Sequence, residues 1–303
     1  MAPENLFAGA YLDRRAEARL HEGWLAEAQA DPATLYLAIR DGAALIHPAG
    51  THPAEGEAPT RIAFLEGHDP RVCRCLVAER TVLLGWFRNQ RCVLVEVDAD
   101  TTAREPFERF AELRPLASEL PPADAGLVAY ARALNLWHAG HRFCGHCGAP
   151  TRSERAGHMR RCTACERQSF PRLDPAIIVL VHDGERALLG RQASWQPNRY
   201  STIAGFVEPG ESLEDAVRRE VAEEAGVTAH AIAYHSSQPW PFPASLMLGF
   251  VARAEHTTPE LRDGELEDAR WFTRDEIRSG AVHLPPRESI SRRLIEHWLH
   301  GAP

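Results

Sequence analysis

Glu220, Glu223 and Glu224 lie within five consecutive positions. On a helix turning about 100° per residue they span roughly 100° of arc, so three carboxylates crowd one side of one turn. Crowded carboxylates repel unless cations sit among them. Hard divalent ions such as Mg2+ or Mn2+ suit oxygen ligands and bridge protein carboxylates to substrate phosphates. The flanking residues supply the helix: Pro209-Gly210 reads as a turn, Ser212 as an N-cap with Asp215 in the capping-box position, and Gly226 as the C-terminal stop. Leu213, Ala216, Val217 and Val221 share another, apolar face and should pack inward. A solvated acidic face on a surface helix would show the same spacing, so the glutamates alone leave both readings open.

A second chemical signal is Cys144-Gly-His-Cys147 with Cys162-Thr-Ala-Cys165, two Cys-x-x-Cys knuckles separated by fourteen residues. Each knuckle can place two thiolates on one ion, and the segment between can form a hairpin that joins them. Four thiolates in a tetrahedron form a closed structural Zn2+ site with no position left for water, so its role is to fold a small ribbon, not to catalyse. A redox pair or four unrelated core cysteines would be the alternatives; the paired spacing, with Gly145 and Gly148 in and beside the first knuckle, favours zinc. His138, His141, His146 and His158 read as surface or supporting residues. Cys73, Cys75 and Cys92 show no readable role.

The elements that must position these groups follow from apolar runs and breakers. Thr34–Arg40, Ala43–His47, Arg61–Leu65, Val82–Trp86 and Cys92–Val97 predict strands, and Ala123–Ala139 a helix with Leu127, Ala131, Leu134 and Trp137 at helical spacing. Ala176–His182 and Ala187–Gln192 flank Asp183-Gly184, a hairpin signal. Strands at Tyr200–Val207 and Ala244–Ala252 and an amphipathic helix at Arg287–His300 complete the chain. Composition shifts divide 303 residues into a β-rich domain ending in a helix (1–140), a ribbon (141–170) and a third domain (171–303). The first 120 residues carry no chemical motif and read as scaffold, dimerisation or substrate-capping elements. A net charge of -8 argues against an unspecific nucleic-acid binder, although Arg152–Arg167 and Arg287–Arg293 leave room for a short contact. No apolar stretch is long enough for a membrane helix, and neither end reads as an address signal, so a cytoplasmic protein is expected.

Gly205 to Val227 decides between the two readings of the glutamates. It resembles, at every defined position, the Nudix box Gly-x5-Glu-x7-Arg-Glu-U-x-Glu-Glu-x-Gly-U, where U is apolar: Gly205, Glu211, Arg219, Glu220, Val221, Glu223, Glu224, Gly226 and Val227 all fit. The resemblance implies an α+β Nudix fold, a mixed sheet between helices, and hydrolysis of a nucleoside diphosphate linked to another moiety. Ser237-Gln-Pro-Trp-Pro-Phe-Pro-Ala-Ser245 then resembles the signature that follows the box in the zinc-containing NADH pyrophosphatases. Three prolines fix that loop, Trp240 and Phe242 offer flat faces, and Gln238 and Ser245 can hydrogen-bond a ligand.

That resemblance implies further roles. Glu220, Glu224 and Glu265 would be metal ligands, with the Ala204 carbonyl contributing. Glu267 and Asp268 compete with Glu265 for that assignment. Glu223 would be a ligand or the general base, and Glu224 shares the catalytic role. Phe170 and Phe206 would stack rings. Gln238, Pro239, Trp240, Pro241, Phe242, Pro243, Ala244, Ser245 and Ser291 would line the substrate. The expected substrate is NADH or NAD, cleaved to nicotinamide mononucleotide and AMP. The alternatives are removal of an NAD cap from the 5' end of RNA, another Nudix specificity, and a non-catalytic zinc-ribbon module. The resemblance also implies a homodimer. It covers residues 141–303 by motif and the N-terminal part only by size and order.

Overall fold

The computed structural model describes residues 5–47, 60–97, 109–261 and 264–301. The chain divides into two units, Phe7–Arg172 and Leu173–Pro303, the latter joined by Met1–Leu6.

In the first unit, apolar runs punctuated by Gly, Asp and Pro form Leu12–Asp13 (β1), Leu35–Arg40 (β2), Ala43–His47 (β3), Arg61–Ile62 (β4), Phe64–Glu66 (β5), Val82–Phe87 (β6), Gln90–Glu96 (β7) and Phe110–Ala111 (β8). They make one sheet in the order β1-β6-β7-β2-β3-β4, with β5 beside β2 and β8 beside β3. The run expected over Arg61–Leu65 is broken at Ala63, so β4 pairs with β3 while β5 pairs with β2. Short helices Trp24–Ala30 (α1), Pro70–Cys75 (α2) and Leu113–Leu116 (α3) precede the long Pro122–Gly140 (α4). Cys75 and Cys92 lie in this core, and burial alone pushes the Cys92 thiol far above its ordinary pKa; both pack as apolar residues.

The ribbon strands Thr151–Glu154 (β9), Met159–Cys162 (β10) and Gln168–Ser169 (β11) form a three-stranded antiparallel sheet. Buried polar groups dock it within this unit. His158 Nε2 donates to the Leu83 carbonyl (2.8 Å) and His138 Nε2 to the Gly157 carbonyl (2.7 Å). Arg160, only 5% exposed, donates to His138 Nδ1 at 3.0 Å, so that nitrogen must be an acceptor and the ring neutral.

The second unit is organised by Asp174–His182 (β12). Together with Arg186–Arg191 (β13), Ile203–Phe206 (β14), His230–Trp240 (β15), Ser245–Arg253 (β16) and Asp268–Thr273 (β17), it forms a sheet in the order β15-β16-β12-β13-β17, with β14 also on β12. β12 runs parallel to β16 and antiparallel to β13 and β14, giving the mixed sheet expected. Side chains alternate across a strand. Ile177, Val179 and Val181 therefore enter one core with Leu213–Ala225 (α5), while Ile178 and Leu180 enter the other. That second core is closed by Arg274–Arg278 (α6) and Ile290–His300 (α7), through Ile277, Leu294, Ile295 and Trp298. The α5 valines Val217 and Val221 are fully buried, each contributing about 1.5–3 kcal/mol.

Burial lowers the pKa of both His138 and His158 from 6.5 to about 4. The unfolded chain therefore takes up these protons first. Their contribution is complete above about pH 6.5 and is lost as pH falls toward 4, at roughly 3 kcal/mol per ring. Chemical denaturation from pH 7 to 4.5 should show this fall. A His158→Gln variant, which keeps a donor for Leu83, should have a shallower slope; an equal slope would assign the acid sensitivity to other groups, such as the cysteine thiolates.

Candidate active site

The carboxylate helix is held at both ends by the chemistry its sequence carries. Ser212 Oγ accepts from Asp215 N, the Asp215 carboxylate accepts from Ser212 N, and Gly226 closes α5 in the left-handed region at φ 66°. The apolar face, Ala216, Val217, Val221 and Ala225, is fully buried against the sheet. On the neighbouring face Glu220 and Glu224 are buried at 9% and 4% exposure, while the Glu223 side chain remains half exposed.

Burying charge is costly unless it is paired, and one guanidinium does most of the pairing. Arg219 reaches Glu211 with Nε (2.6 Å) and Nη2 (3.0 Å), Glu220 (2.8 Å) and Glu223 (3.0 Å) with Nη1, and the Phe206 carbonyl (2.8 Å) with Nη2. It thereby ties the loop, the helix and β14 together. Glu220 still has a raised pKa: burial outweighs the Arg219 bond, and the charges of Glu223 and Glu265 add to the rise. The Glu220 charge is thus incompletely offset, which suits a divalent ion with oxygen ligands. Glu265 is exposed and within electrostatic reach of Glu220. Among the described residues, however, these carboxylates do not form a group of three converging within 4.8 Å, as the cysteines do.

Gly205 is dictated by the same packing. A Cβ there would lie 1.9 Å from the Glu220 carboxyl. Its neighbours Ala204 and Phe206 sit on β14, opposite Ile178 and Ala176, and the Phe206 ring is 60% exposed. Phe170 belongs to the other unit and is 39% exposed.

The motif read as a proline-fixed loop is instead a hairpin. Ser237–Trp240 continue β15, Pro241–Ala244 turn, and Ser245 opens β16. Pro239 is tolerated because β15 is an edge strand of the sheet. Trp240 and Phe242 meet edge to face at the tip, 5.2 Å apart.

Two expected substrate contacts are used by the fold itself. Gln238 is fully buried; its amide donates to the carbonyls of Glu288 (2.7 Å) and Leu6 (3.3 Å) and its oxygen accepts from Ile290 N (2.8 Å). Both amide protons are taken. Ser291, 3% exposed, bonds Ser201 Oγ and Thr202 Oγ1 (both 2.8 Å) and accepts from Thr202 N (3.2 Å). Ser245 is likewise buried, at 6%.

Sequence reasoning missed Asn5. Its amide donates to Ser236 Oγ (3.1 Å) and the Ser237 carbonyl (2.7 Å), and its oxygen accepts from Arg293 (2.9 Å). Nothing local marks an asparagine 231 positions from its partner. Asp268, a rival to Glu265, is bonded by the Tyr200 hydroxyl and Arg270, and Glu267 by Arg191.

The four cysteine sulfurs lie within 4.8 Å of one another, with Cys144–Cys165 at 3.7 Å, Cys147–Cys162 at 3.4 Å and Cys147–Cys165 at 3.6 Å. Bonds of about 2.3 Å to a central zinc require edges near 3.8 Å, so the donor set fits a structural Zn2+. The N–H groups of Ala164 and Cys165 point at Cys162 Sγ (3.4 Å), the hydrogen bonding a thiolate knuckle needs.

Residues 172–298 match the NUDIX domain, 139–170 the NADH pyrophosphatase zinc ribbon domain, and 33–137 the NADH pyrophosphatase-like rudimentary NUDIX domain. The chain is similar to the NAD-capped RNA hydrolase NUDT12 of Macaca fascicularis, at 34% identity over 99% of this chain and 74% of that one. It is also similar to the NAD-capped RNA hydrolase NudC of Stutzerimonas stutzeri, at 44% identity over 71% and 76%. Among solved structures, a NUDIX hydrolase from Nitrosomonas europaea aligns with a TM-score of 0.44 and 21% identity, covering 54% of this chain and 94% of that one.

Two outcomes follow from these contacts. Gly205→Ala should displace Glu220 and lower hydrolytic kcat by about 10- to 100-fold, the range for disturbing groups around a metal ligand, with little change in the urea midpoint; an unchanged kcat would show that the carboxyl relocates freely. Gln238→Leu leaves two carbonyls and one N–H unpaired and should cost about 2–5 kcal/mol in urea unfolding. A loss confined to KM would instead restore Gln238 as a substrate contact.

Proposed function

The chain belongs to the Nudix hydrolases that carry the NADH pyrophosphatase zinc ribbon, and from that premise we propose that it hydrolyses the diphosphate of NADH or NAD to nicotinamide mononucleotide and AMP. The observation that carries this reading is buried Glu220, whose pKa is raised despite its Arg219 bond and further by the charges of Glu223 and Glu265, beside an intact Nudix loop.

Glu220, Glu224 and Glu265, with the Ala204 carbonyl, would hold Mg2+ or Mn2+. Bound there, the ions neutralise the diphosphate, lower the pKa of water and stabilise the leaving phosphate oxygen. The protein's own part is positional. Arg219 fixes Glu220 and Glu223 relative to β14, and Gly205 lets the helix carboxyls approach that strand's backbone. Glu223 or Glu224 takes the proton of the attacking water. A new P–O bond forms to the water oxygen, the bridging P–O bond breaks, and its oxygen leaves on the other phosphate.

The exposed Phe206 ring and the Trp240–Phe242 tip offer stacking faces for the two rings of a dinucleotide. Buried Gln238 and Ser291 act behind them as supports. This reading takes the enzyme to be a homodimer, as the family resemblance implies, and cytoplasmic, since thiolate ligation of zinc suits a reducing compartment. Among the described residues no helix is long and apolar enough to cross a membrane.

The names of the similar proteins favour a second reading, removal of an NAD cap from RNA by the same bond cleavage. Measuring kcat/KM for NADH, NAD and a short NAD-capped RNA with Mg2+ or Mn2+ separates the two. The expected result is cleavage of all three to products containing the mononucleotide, with Glu220→Gln at least about 100-fold slower. A tenfold preference for the capped RNA, about 1.4 kcal/mol, would make decapping the main activity. Absence of cleavage of all three would overturn the substrate reading.

A further inference from the structure

The first unit holds a cavity of about 470 Å3 that the carboxylate helix does not touch. Its walls are the 3-10 turn Ala16–Leu20 with the start of α1, and the turn Arg155–Gly157 between β9 and β10. The volume falls within the range of small-molecule sites, about 300–1,000 Å3.

The chemistry of the wall is specific. Arg19 and Arg155 both line it, and among the described residues neither side chain has an acidic partner. The Arg19 Nε is buried with no hydrogen-bond acceptor at all. The other charges on the wall are largely spoken for. Glu154 is held by Arg152 and Arg161, and His21 by Glu27. That leaves Glu22 as one carboxylate against two guanidinium groups. The field is positive behind the wall as well: Arg14 and Arg19 both help to keep buried His158 unprotonated.

The backbone contributes too. Arg155, Ala156 and Gly157 take φ of 50°, 51° and 91°, three consecutive left-handed residues of which only the glycine does so freely. Gly157 is explained by its approach to Val82, which a Cβ would meet at 2.6 Å. Arg155, Ala156 and Gly157 all line the cavity. Half-buried Trp24 also lines the cavity, and Leu20 is 68% exposed.

We propose that this cavity is a second ligand site, binding a nucleoside monophosphate with its phosphate between Arg19 and Arg155 and its base against Trp24 and Leu20. Planar guanidinium forks match phosphate oxygens in pairs, and an indole offers a base a stacking face. The site is chemically opposite to the carboxylate helix, which repels a phosphate unless divalent ions are present. The two can therefore be measured apart.

The test is calorimetric titration of the full-length, zinc-loaded protein without Mg2+ or Mn2+, using AMP, adenosine and inorganic phosphate. AMP should bind saturably, and at least tenfold tighter than either fragment. The Arg19→Gln/Arg155→Gln double variant should weaken AMP at least tenfold, and Trp24→Leu should weaken AMP but not phosphate. AMP binding unchanged in the double variant would overturn the site, and phosphate binding equal to AMP would overturn the nucleotide assignment. Should the double variant lose zinc or its circular dichroism, hydrogen exchange on the wild type decides. AMP must slow the amides of residues 20–25 and 155–158, and unaltered exchange there refutes the proposal.

Discussion

Repulsion among carboxylates is the constraint on which the second unit depends. Glu220 and Glu224 are buried on a helix that also carries Glu223, and folding brings them against a strand, with the Arg219 guanidinium bonding both Glu220 and Glu223. Arg219 answers by acting in five hydrogen bonds at once, to Glu211, Glu220, Glu223 and the Phe206 carbonyl. A lysine could not, since an ammonium lacks the planar fork. The loop spacing then follows: Glu211 must lie eight positions before Arg219 to return beneath it, and the chain must turn at Pro209-Gly210 to get there. Gly205 follows from the same closeness. The residual strain of this arrangement is its utility, because a cluster incompletely neutralised by protein gains most from a divalent ion.

Everything else in that unit holds the two sides of this contact still. β12 sends alternate side chains into two cores, so α5 and α7 grip the same strand from opposite faces. β14, which presents Ala204 and Phe206, hangs on β12, and through Thr202 it is bonded to Ser291 on α7. The helix with the glutamates and the helix at the C-terminus thus fix one short strand between them. This is why buried serine and glutamine side chains far from the carboxylates matter to the geometry of the site.

The legibility of the sequence tracked the range of the interaction. The capping box at Ser212, the stop at Gly226 and the Asp183-Gly184 hairpin are local, and each was readable from residues within a few positions. The cysteine knuckles were readable because metal ligation imposes spacing; the sulfur geometry fits that reading. The short α1 and α2 were not, since six or seven residues give too little periodicity to register. The break at Ala63 arises from two different partner strands, which no local pattern encodes.

Gln238 shows the sharper limit. In the sequence it stands beside Trp240 and Phe242, and a polar side chain among exposed-looking aromatics reads as a ligand contact. Its strand, however, alternates: Gln238 faces inward, and what lies inward is the unpaired backbone at the start of α7 and the chain near Leu6. A helix start leaves N–H groups without partners, and a buried one must be satisfied. An amide is the side chain that can donate to two carbonyls and accept from one N–H at once. The same residue type thus answers a folding demand created by segments 232 positions before it and 50 after, a demand invisible until the fold brings them together. At the hairpin the rings of Trp240 and Phe242 accordingly meet at the tip, and the buried amide behind them sets where the tip stands.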